Sequence, residues 1–297
     1  MTHDDVTLRA HHGPSSVEVT VVPTAGGRLR QITITTDAGT AELLAPSDDV
    51  RPNSTGWGSF PMAPWAGRVR HGRFHFVDEA VRLDLDHSDG GASGGGPIDP
   101  PAPSPDVADQ ADRRHAIHGT VYFRPWTVVD ATDTTIEMTC PIDGARNWPY
   151  RGVARQLVSL HHDRLELELG VELHDRPVPI SIGWHPWFTK PDRLDFSPVA
   201  MYRRDAIGLP TGELVAPAPP PWDDCFVNRS PVTLHYDRDV APTITVSSPD
   251  CDHWVVFDGT EHATCVEPQS GPPDAANIRP EIAVPHHPLR RTMTIGW

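Results

Sequence analysis

Residues 165–173 read Leu-Glu-Leu-Glu-Leu-Gly-Val-Glu-Leu. Large apolar side chains occupy every second position of this stretch, and glutamates occupy most of the positions between them. Because successive side chains of a β-strand point to opposite sides, this period of two predicts a strand with one buried and one solvated face. It is the clearest strand signal in the chain, and it indicates a β-rich fold.

Strand signals of the same kind lie on both sides of this stretch, separated by Pro- and Gly-containing turns. No segment of twelve or more residues shows a convincing helical period. We therefore predict an all-β protein, a large antiparallel β-sandwich or barrel, with residues 1–297 forming a single domain. The predicted strands lie in Val17–Thr36 (a hairpin), Arg73–Leu85, Trp126–Cys140, Gln156–Leu160, Val232–Tyr236, Thr243–Ser248, Trp254–Phe257 and Arg291–Trp297.

The composition narrows the classes of function. The chain has 297 residues, 33 prolines, 23 glycines and a formal net charge of −15. This charge argues against binding to nucleic acid or to an anionic membrane, and it suits a small neutral ligand. We expect no partner besides such a ligand, with the protein a monomer or homodimer.

The sequence also carries expectations about location. The N-terminal residues show no secretion signal, and no apolar run approaches the roughly 18 residues of a membrane span. The four cysteines contain no Cys-x-x-Cys pair. We therefore expect a reduced, cytoplasmic protein with buried thiols.

Residues 86–114 differ in kind from the rest of the chain. They are rich in Gly, Pro, Ser and Asp and hold hardly any large apolar side chain. Such a composition does not offset the entropy lost on ordering, which predicts a flexible surface insertion. A solvated linker and a lid over a site both remain open, because His115 and His118 follow it directly.

The stretch Ile180–Phe188 ends a β-branched run in Gly-Trp-His-Pro-Trp-Phe. Proline restricts the preceding residue to extended conformations, so the imidazole of His185 has a defined position. The flanking Trp184 and Trp187 offer flat apolar faces of the kind that pack against a sugar ring. The alternative is a histidine buried in an aromatic core.

The stretch Pro61–Arg70 contains too many prolines for a central strand. It places Arg68 next to a glycine that permits close approach of a ligand. A guanidinium offers five donors to sugar oxygens or to a carboxylate. If this piece is extended, Arg68 and Arg70 point to the same side.

Two further stretches hold polar candidates. His115 and His118 have a His-x-x-His spacing, but a strand would point them to opposite sides, so we predict a single placed imidazole at His118 rather than a metal site. Asp223 and Asp224 begin a predicted strand, and a carboxylate there can accept bonds from sugar hydroxyls. Glu267 lies near the end of an apolar strand, where a carboxylate is costly unless it has a partner.

Taken together, five motifs occur in an order that resembles the aldose 1-epimerase, or galactose mutarotase, family, and they span about Asn53 to Asn277. The resemblance implies a large antiparallel β-sandwich with a sugar in a cleft on one face. It also implies no metal and no organic cofactor. The motifs are Pro61-Met-Ala-Pro-Trp-Ala-Gly-Arg68, His118-Gly-x5-Pro-Trp126, Gly183-Trp-His-Pro-Trp-Phe188, Asp223-x-x-Phe-Val227 and Glu267-Pro-Gln-Ser-Gly-Pro-Pro-Asp-Ala-x-Asn277.

The resemblance also implies roles for single residues. Glu267 matches the family's catalytic base, His185 its catalytic acid and His118 its second active-site histidine. Arg68 matches the arginine that binds the sugar, and Asp223 the aspartate that binds ring hydroxyls, because it stands three residues before Phe226.

The implied reaction interconverts the α and β anomers of a free aldose. It needs one base at the C1 hydroxyl and one acid at the ring oxygen, since the ring must open before it closes on the other face. Four other functions remain open on the residues alone: a hexose-6-phosphate 1-epimerase, a non-catalytic sugar-binding protein, a metal-dependent isomerase and an unrelated reaction on the same fold.

Overall fold

The computed structural model describes residues 5–46, 55–85 and 115–297. The insertion predicted at 86–114 lies outside the described residues. Within the described ranges, one short helix, α1, covers Ala275–Ile278, and 3-10 turns lie at Pro23–Ala25 and Arg70–Gly72. Among the described residues, no helix is both long and apolar enough to cross a membrane.

The rest of the regular structure in the described ranges is β-strand. The strands are β1 (Val6–His12), β2 (Ser15–Val22), β3 (Arg28–Thr36), β4 (Gly39–Glu42), β5 (Ser59–Met62), β6 (Arg68–Val69), β7 (Arg73–Phe76), β8 (Glu79–Arg82), β9 (Ala116–Ile117), β10 (Thr127–Ala131), β11 (Thr135–Pro141), β12 (Gly152–Leu160), β13 (Arg164–Leu173), β14 (Val178–Ile180), β15 (Gly183–Thr189), β16 (Arg193–Asp195), β17 (Ala200–Arg204), β18 (Pro210–Val215), β19 (Asp223–Val227), β20 (Val232–His235), β21 (Thr243–Ser247), β22 (His253–Phe257), β23 (Ala263–Gln269), β24 (Glu281–Ala283) and β25 (Leu289–Gly296).

Two large antiparallel sheets dominate the part of the chain that the structure describes. The first, called here the large sheet, has 11 strands in the order β1-β2-β3-β5-β15-β23-β22-β19-β17-β18, with β4 beside β3. The second has eight strands in the order β10-β11-β12-β13-β25-β21-β20-β16. One cluster of buried apolar side chains, which includes Val19 from the large sheet and Ile295 from the second, joins both sheets. The predicted all-β antiparallel sandwich is therefore confirmed.

The alternating stretch at 165–173 lies in β13, in the middle of the second sheet. Its side chains at 165, 167, 169, 171 and 173 are at most 1% exposed. The predicted hairpin at Val17–Thr36 is also confirmed, since β2 and β3 pair antiparallel around a Pro-Thr-Ala-Gly-Gly turn. In both places, the alternation of apolar residues predicted the buried face.

The expectation that Pro61–Arg70 holds no central strand is wrong for its first residues. Pro61 lies in β5, which runs between β3 and β15 in the large sheet. Pro61 is paired with Trp184 and Pro186 with Ser59. These two pairs are two positions apart along the antiparallel ladder, so they are of the same kind, either both hydrogen-bonded or both not. The N–H of Trp187 donates to Gly58 O at 2.8 Å, which puts the ladder hydrogen bonds on pairs of the other kind. Neither proline therefore interrupts a bond between these strands.

Candidate active site

The register of three neighbouring strands brings one row of side chains to the same face of the large sheet. Phe60 in β5 is the cross-strand partner of His185 in β15. The pairs Gly183–Gln269 and Trp187–Cys265 flank the next rung, where His185 lies opposite Glu267 of β23. Since side chains alternate between faces, the row Phe60, His185 and Glu267 projects from one side of the sheet.

A cleft of about 140 Å³ opens over this row. Of the seven site residues predicted from the sequence, the structure brings six together around it: Arg68, His118, His185, Trp187, Asp223 and Glu267. Its other lining residues are Thr55, Gly67, Ile117, Val255, Phe257, Gln269 and Pro273.

Trp184 does not line this cleft, so the prediction that it contacts a ligand there is wrong. It is fully buried in the core between the sheets, and its indole N–H donates to Gln156 Oε1 at 3.1 Å. The reason is the period of two: His185 and Trp187 share the cleft face of β15, and Trp184 points to the opposite face.

The imidazole of His185 lies between two aromatic rings. Phe60 stacks on it with ring centroids 4.8 Å apart, and Trp187 stacks on it at 5.4 Å. Nε2 of His185 is 3.3 Å from Oε1 of Glu267. Burial, followed by the positive charge of Arg28, lowers the pKa of His185 to about 3, so the ring is neutral near pH 7.

Glu267 is 3% exposed, and its carboxyl group contacts Gln269 as well as His185. Its Oε2 accepts a hydrogen bond from Gln269 Nε2 at 3.1 Å. Burial, and then the negative charge of Asp223, raise the pKa of Glu267 well above its ordinary value, despite the opposing effect of Gln269. These shifts make Glu267 and His185 a pair in which burial favours the neutral form of each member.

Gln269 was missed by the sequence reasoning. It is fully buried, and it has room because its cross-strand partner is Gly183, whose added Cβ would lie 3.1 Å from Gln269 Cγ. The signal was available in the sequence: Glu267 and Gln269 are two residues apart on a strand and must share a face.

The backbone at His118 is held in an unusual conformation. His118 has φ +57° and its N–H donates to Gly67 O at 2.8 Å. Its ring stands perpendicular to that of His185, with centroids 4.9 Å apart. Burial, with His185 and then Arg68 as lesser causes, lowers the pKa of His118 well below its ordinary value.

The His-x-x-His pair does not converge on one point of the cleft. His118 lines it, whereas Nδ1 of His115 accepts a hydrogen bond from the backbone N–H of His71 at 3.2 Å. Of the two histidines, the structure places only His118 at the cleft.

Gly119 fixes the loop that carries His118. It has φ +82°, and an added Cβ would lie 2.0 Å from Ala63 O. We expect Gly119→Ala to lower the free energy of unfolding by more than about 2 kcal/mol, because the left-handed conformation alone costs an alanine about 1–2 kcal/mol and the clash adds to it. Thermal and urea unfolding measure this.

Gly144→Ala is the matched control for that substitution. Gly144 has φ +73°, but apart from its own atoms and those of its two chain neighbours, no atom of the described residues lies within 4 Å of the position that a Cβ would take there. Its replacement should cost only the conformational part, about 1 kcal/mol. Equal losses in the two variants would contradict the assigned role of the contact with Ala63.

Arg68 is held in place by the segment that follows β23. Its carbonyl accepts a bond from the N–H of Asp274 at 2.6 Å, and Asp274 Oδ1 accepts from the N–H of Arg70 at 2.9 Å. Arg70 itself pairs with Asp205 at 2.7 Å and does not line the cleft. The condition under which Arg68 and Arg70 were expected to point to the same side, an extended chain through both, does not hold, because β6 ends at Val69 and a 3-10 turn begins.

Asp223 and Asp224 begin β19 as predicted, and only Asp223 lines the cleft. Its side chain is 51% exposed and lies 3.4 Å from Arg204 NH1. Asp224 pairs with Arg204 Nε at 3.0 Å. The alternation of side chains along the strand explains why the two neighbours differ.

One group of side chains in the described ranges has the spacing of a metal site. Single ligand atoms of His185, Cys265 and Glu267 lie within 4.8 Å of one another. A cysteine binds metal as the thiolate, however, and burial raises the pKa of Cys265 well above its ordinary value. We therefore do not identify these residues as metal ligands.

Three solved structures share this fold over nearly the whole chain. A galactose mutarotase-like protein from Clostridium acetobutylicum has a TM-score of 0.75 at 15% identity, with 98% of each chain covered. The GalM/aldose epimerase homologue from C. elegans has a TM-score of 0.75 at 13% identity, with 99% of this chain and 98% of the other chain covered. Galactose 1-epimerase from Lactobacillus acidophilus NCFM has a TM-score of 0.71 at 14% identity, with 98% of this chain and 93% of the other chain covered. The protein is thus a galactose mutarotase-like β-sandwich.

The family follows from a match at the level of sequence. Residues 7–281 match the family model described as aldose 1-epimerase, and the chain belongs to this family. A search of curated protein sequences returned no match.

Proposed function

We propose that this protein is an isomerase that interconverts the α and β anomers of a free aldose. One observation carries the proposal: the 3.3 Å contact between His185 Nε2 and Glu267 Oε1 at the base of the cleft. The hydroxyl on C1 and the ring oxygen of a cyclic aldose are bonded to the same carbon, so an acid and a base side by side can reach both.

The two groups act by moving protons in opposite directions. The proton of the neutral pair first passes from Glu267 to His185. Glu267 then takes the proton from the C1 hydroxyl while His185 donates its proton to the ring oxygen, the ring opens, the C1–C2 bond rotates and closure reverses both transfers. Burial favours the neutral forms, so the charged forms of the pair are high in energy without a sugar. The positive charge of Arg68 offsets part of this cost at Glu267.

Three lining residues are proposed to hold the sugar. Arg68 and Asp223 stand on different strands around the cleft and offer donors and acceptors to ring hydroxyls. Trp187 presents an edge rather than a free face, because His185 and His262 stack on it. Its indole N–H is buried and has no partner among the described residues.

The charges around the cleft favour a free sugar over a phosphorylated one. Among the described lining residues, Arg68 is the single arginine, and the carboxylate of Asp223 also lines the cleft. Arg124 donates to Pro141 O and Asp143 O at 2.6 and 2.8 Å, away from the cleft. A phosphate dianion would meet one arginine and one exposed carboxylate, which is a poor match.

The remaining alternatives make different demands on the site. A sugar-binding protein needs hydroxyl partners but does not need Glu267 and His185 buried in contact. A metal-dependent isomerase would lose activity with a chelator, whereas we propose that no cofactor takes part. We also propose a cytoplasmic location, because all four cysteines are buried and unpaired.

Polarimetry of freshly dissolved α-D-glucose and α-D-galactose tests the proposal. We expect the protein to accelerate mutarotation of at least one of them, unchanged after treatment with EDTA, in dilute buffer because buffer ions catalyse the same reaction. Exchange between the anomeric signals of glucose 6-phosphate, followed by NMR, is expected to stay at the buffer rate. Folded protein that accelerates neither free sugar would contradict the proposal.

A further inference from the structure

A fully buried arginine lies in the same region of the large sheet as the acid–base pair. Arg28 begins β3 and is 0% exposed. Its NH1 donates to Trp57 O at 2.9 Å and its Nε to Ala25 O at 3.4 Å. Its guanidinium carbon is 4.2 Å from the ring centroid of Trp57 and 4.7 Å from that of Phe60.

In the part of the chain that the structure describes, the charge of Arg28 has no countercharge in direct contact. Within the described residues no Asp or Glu forms an ion pair with it, its NH2 has no hydrogen-bond partner, and Tyr122 is the ionisable side chain whose proximity partly opposes the effect of burial on its pKa. Arginine is rarely buried in full without a paired acid, because the lost hydration is costly. Burial lowers the pKa of Arg28 to about 9, so the group is still positive at neutral pH. An apolar side chain would fill the same space at lower cost.

The sheet register shows where this charge acts. Leu29 of β3 pairs with Ser59 of β5, which sets Arg28 beside Phe60, and Phe60 pairs with His185. One aromatic ring therefore contacts both the guanidinium and the imidazole, and the contact distances are 4.7 and 4.8 Å. The row on the cleft face is Arg28, Phe60, His185, Glu267.

We propose that Arg28 is a positioning residue that holds a fixed positive charge one ring away from His185, which keeps the imidazole neutral at rest and makes its protonated form a stronger acid toward the ring oxygen. This inference rests on the proposed function for the acid role of His185. Arg28 acts without touching the sugar, since it has no exposed surface.

Other groups around His185 do not replace this charge. Arg68 on β6 also disfavours the imidazolium, but it ranks after Arg28 among the causes of the low His185 pKa. Burial keeps His118 neutral, and Glu267 is favoured in its neutral form. The titratable and charged groups of the described residues that surround the site include Arg28 on β3, Arg68 on β6, His118 and Tyr122 after β9, Arg146 after β11, Asp223 on β19, and Cys265 and Glu267 on β23.

Three substitutions separate the charge from the packing. Arg28→Met and Arg28→Gln remove the charge, and Gln keeps a donor for Trp57 O. Arg28→Lys keeps the charge but loses the guanidinium. In the plot of kcat/KM against pH, we expect the fall in activity on the acid side, the acid limb, to move to higher pH by about one unit in Arg28→Met and Arg28→Gln. This is the effect of one charge across one ring at an effective dielectric of about 20. In Arg28→Lys, the acid limb should stay at the pH of the wild type.

The direction of the expected pH shift follows from the protonation states of His185 and Glu267. Below the acid limb both His185 and Glu267 are protonated and no base remains. Removing a nearby cation stabilises the imidazolium, so this inactive form appears at higher pH. Damage to packing alone would lower activity equally in Lys and Met. Folded Met and Gln variants with the wild-type limb would overturn the proposal.

A titration of His185 by NMR reports on the same charge without any activity. The ring carbons of the wild-type protein are labelled and the His185 signal is assigned by its loss in His185→Asn. We expect titration well below pH 6.5 in the wild type and closer to it in Arg28→Met or Arg28→Gln. If His185 titrates at its ordinary value with Arg28 in place, the proposal is overturned. This test needs only the wild-type protein and His185→Asn, so it stands even if Arg28→Met and Arg28→Gln do not fold. A shifted titration without mutarotation would contradict the proposed function alone.

Discussion

Replacing Glu267 by Gln is expected to lower kcat/KM for mutarotation by about 10²- to 10⁴-fold, the range that one positioned acid or base contributes. Gln has nearly the shape of Glu but cannot take the proton of the C1 hydroxyl. It can still meet His185 and Gln269, which lie 3.3 and 3.1 Å from the carboxyl oxygens. The loss should therefore appear in kcat, with little change in KM, when followed by polarimetry.

The same variant should unfold at a higher temperature than the wild type at neutral pH. The folded-state pKa of Glu267 is raised, so its contribution to stability is present below the unfolded pKa and is lost as pH rises. Gln does not ionise in the unfolded chain and avoids this loss. Glu261→Gln, at an exposed loop position, is the control and should change neither property. Activity near the wild type in folded Glu267→Gln would exclude Glu267 as the base.

The sequence predicted the fold where one face of a strand is buried. The alternation in Leu165–Leu173 is visible because β13 buries its leucines and solvates its glutamates. The sequence-based expectation failed at Pro61. Proline is excluded from a central strand only where its missing N–H would break a hydrogen bond to the neighbouring strand. Whether it does so depends on the phase of pairing with β15, and no local pattern shows that phase.

The site could be predicted only as far as single strands allow. Motif order pointed to Glu267 and His185, and the structure sets them in contact. Trp184 was misplaced although its parity relative to His185 was readable from the sequence. Phe60 and Arg28 could not be found, because they reach His185 only through the pairing of β3, β5 and β15, and both lie more than 100 residues before His185 along the chain.

His185→Asn is expected to lower kcat by about 10²- to 10⁴-fold, because Asn cannot hold and donate the proton that the ring oxygen needs. Its smaller side chain also leaves the space between Phe60 and Trp187 partly unfilled, so some loss of stability is expected. Steady-state polarimetry on the folded variant, checked by circular dichroism, separates the two effects.

His118→Asn is the matched comparison for that variant. Asn tolerates the left-handed backbone at φ +57° and removes an imidazole of similar burial next to His185. His118 lines the cleft but makes no contact with Glu267 in the structure that would let it share its proton, and we propose that it binds or polarises the sugar. We therefore expect a smaller loss, mainly as a rise in KM. If His118→Asn abolishes kcat and His185→Asn retains it, the acid is His118, and the stacked row from Phe60 to Glu267 serves only to build the floor of the cleft.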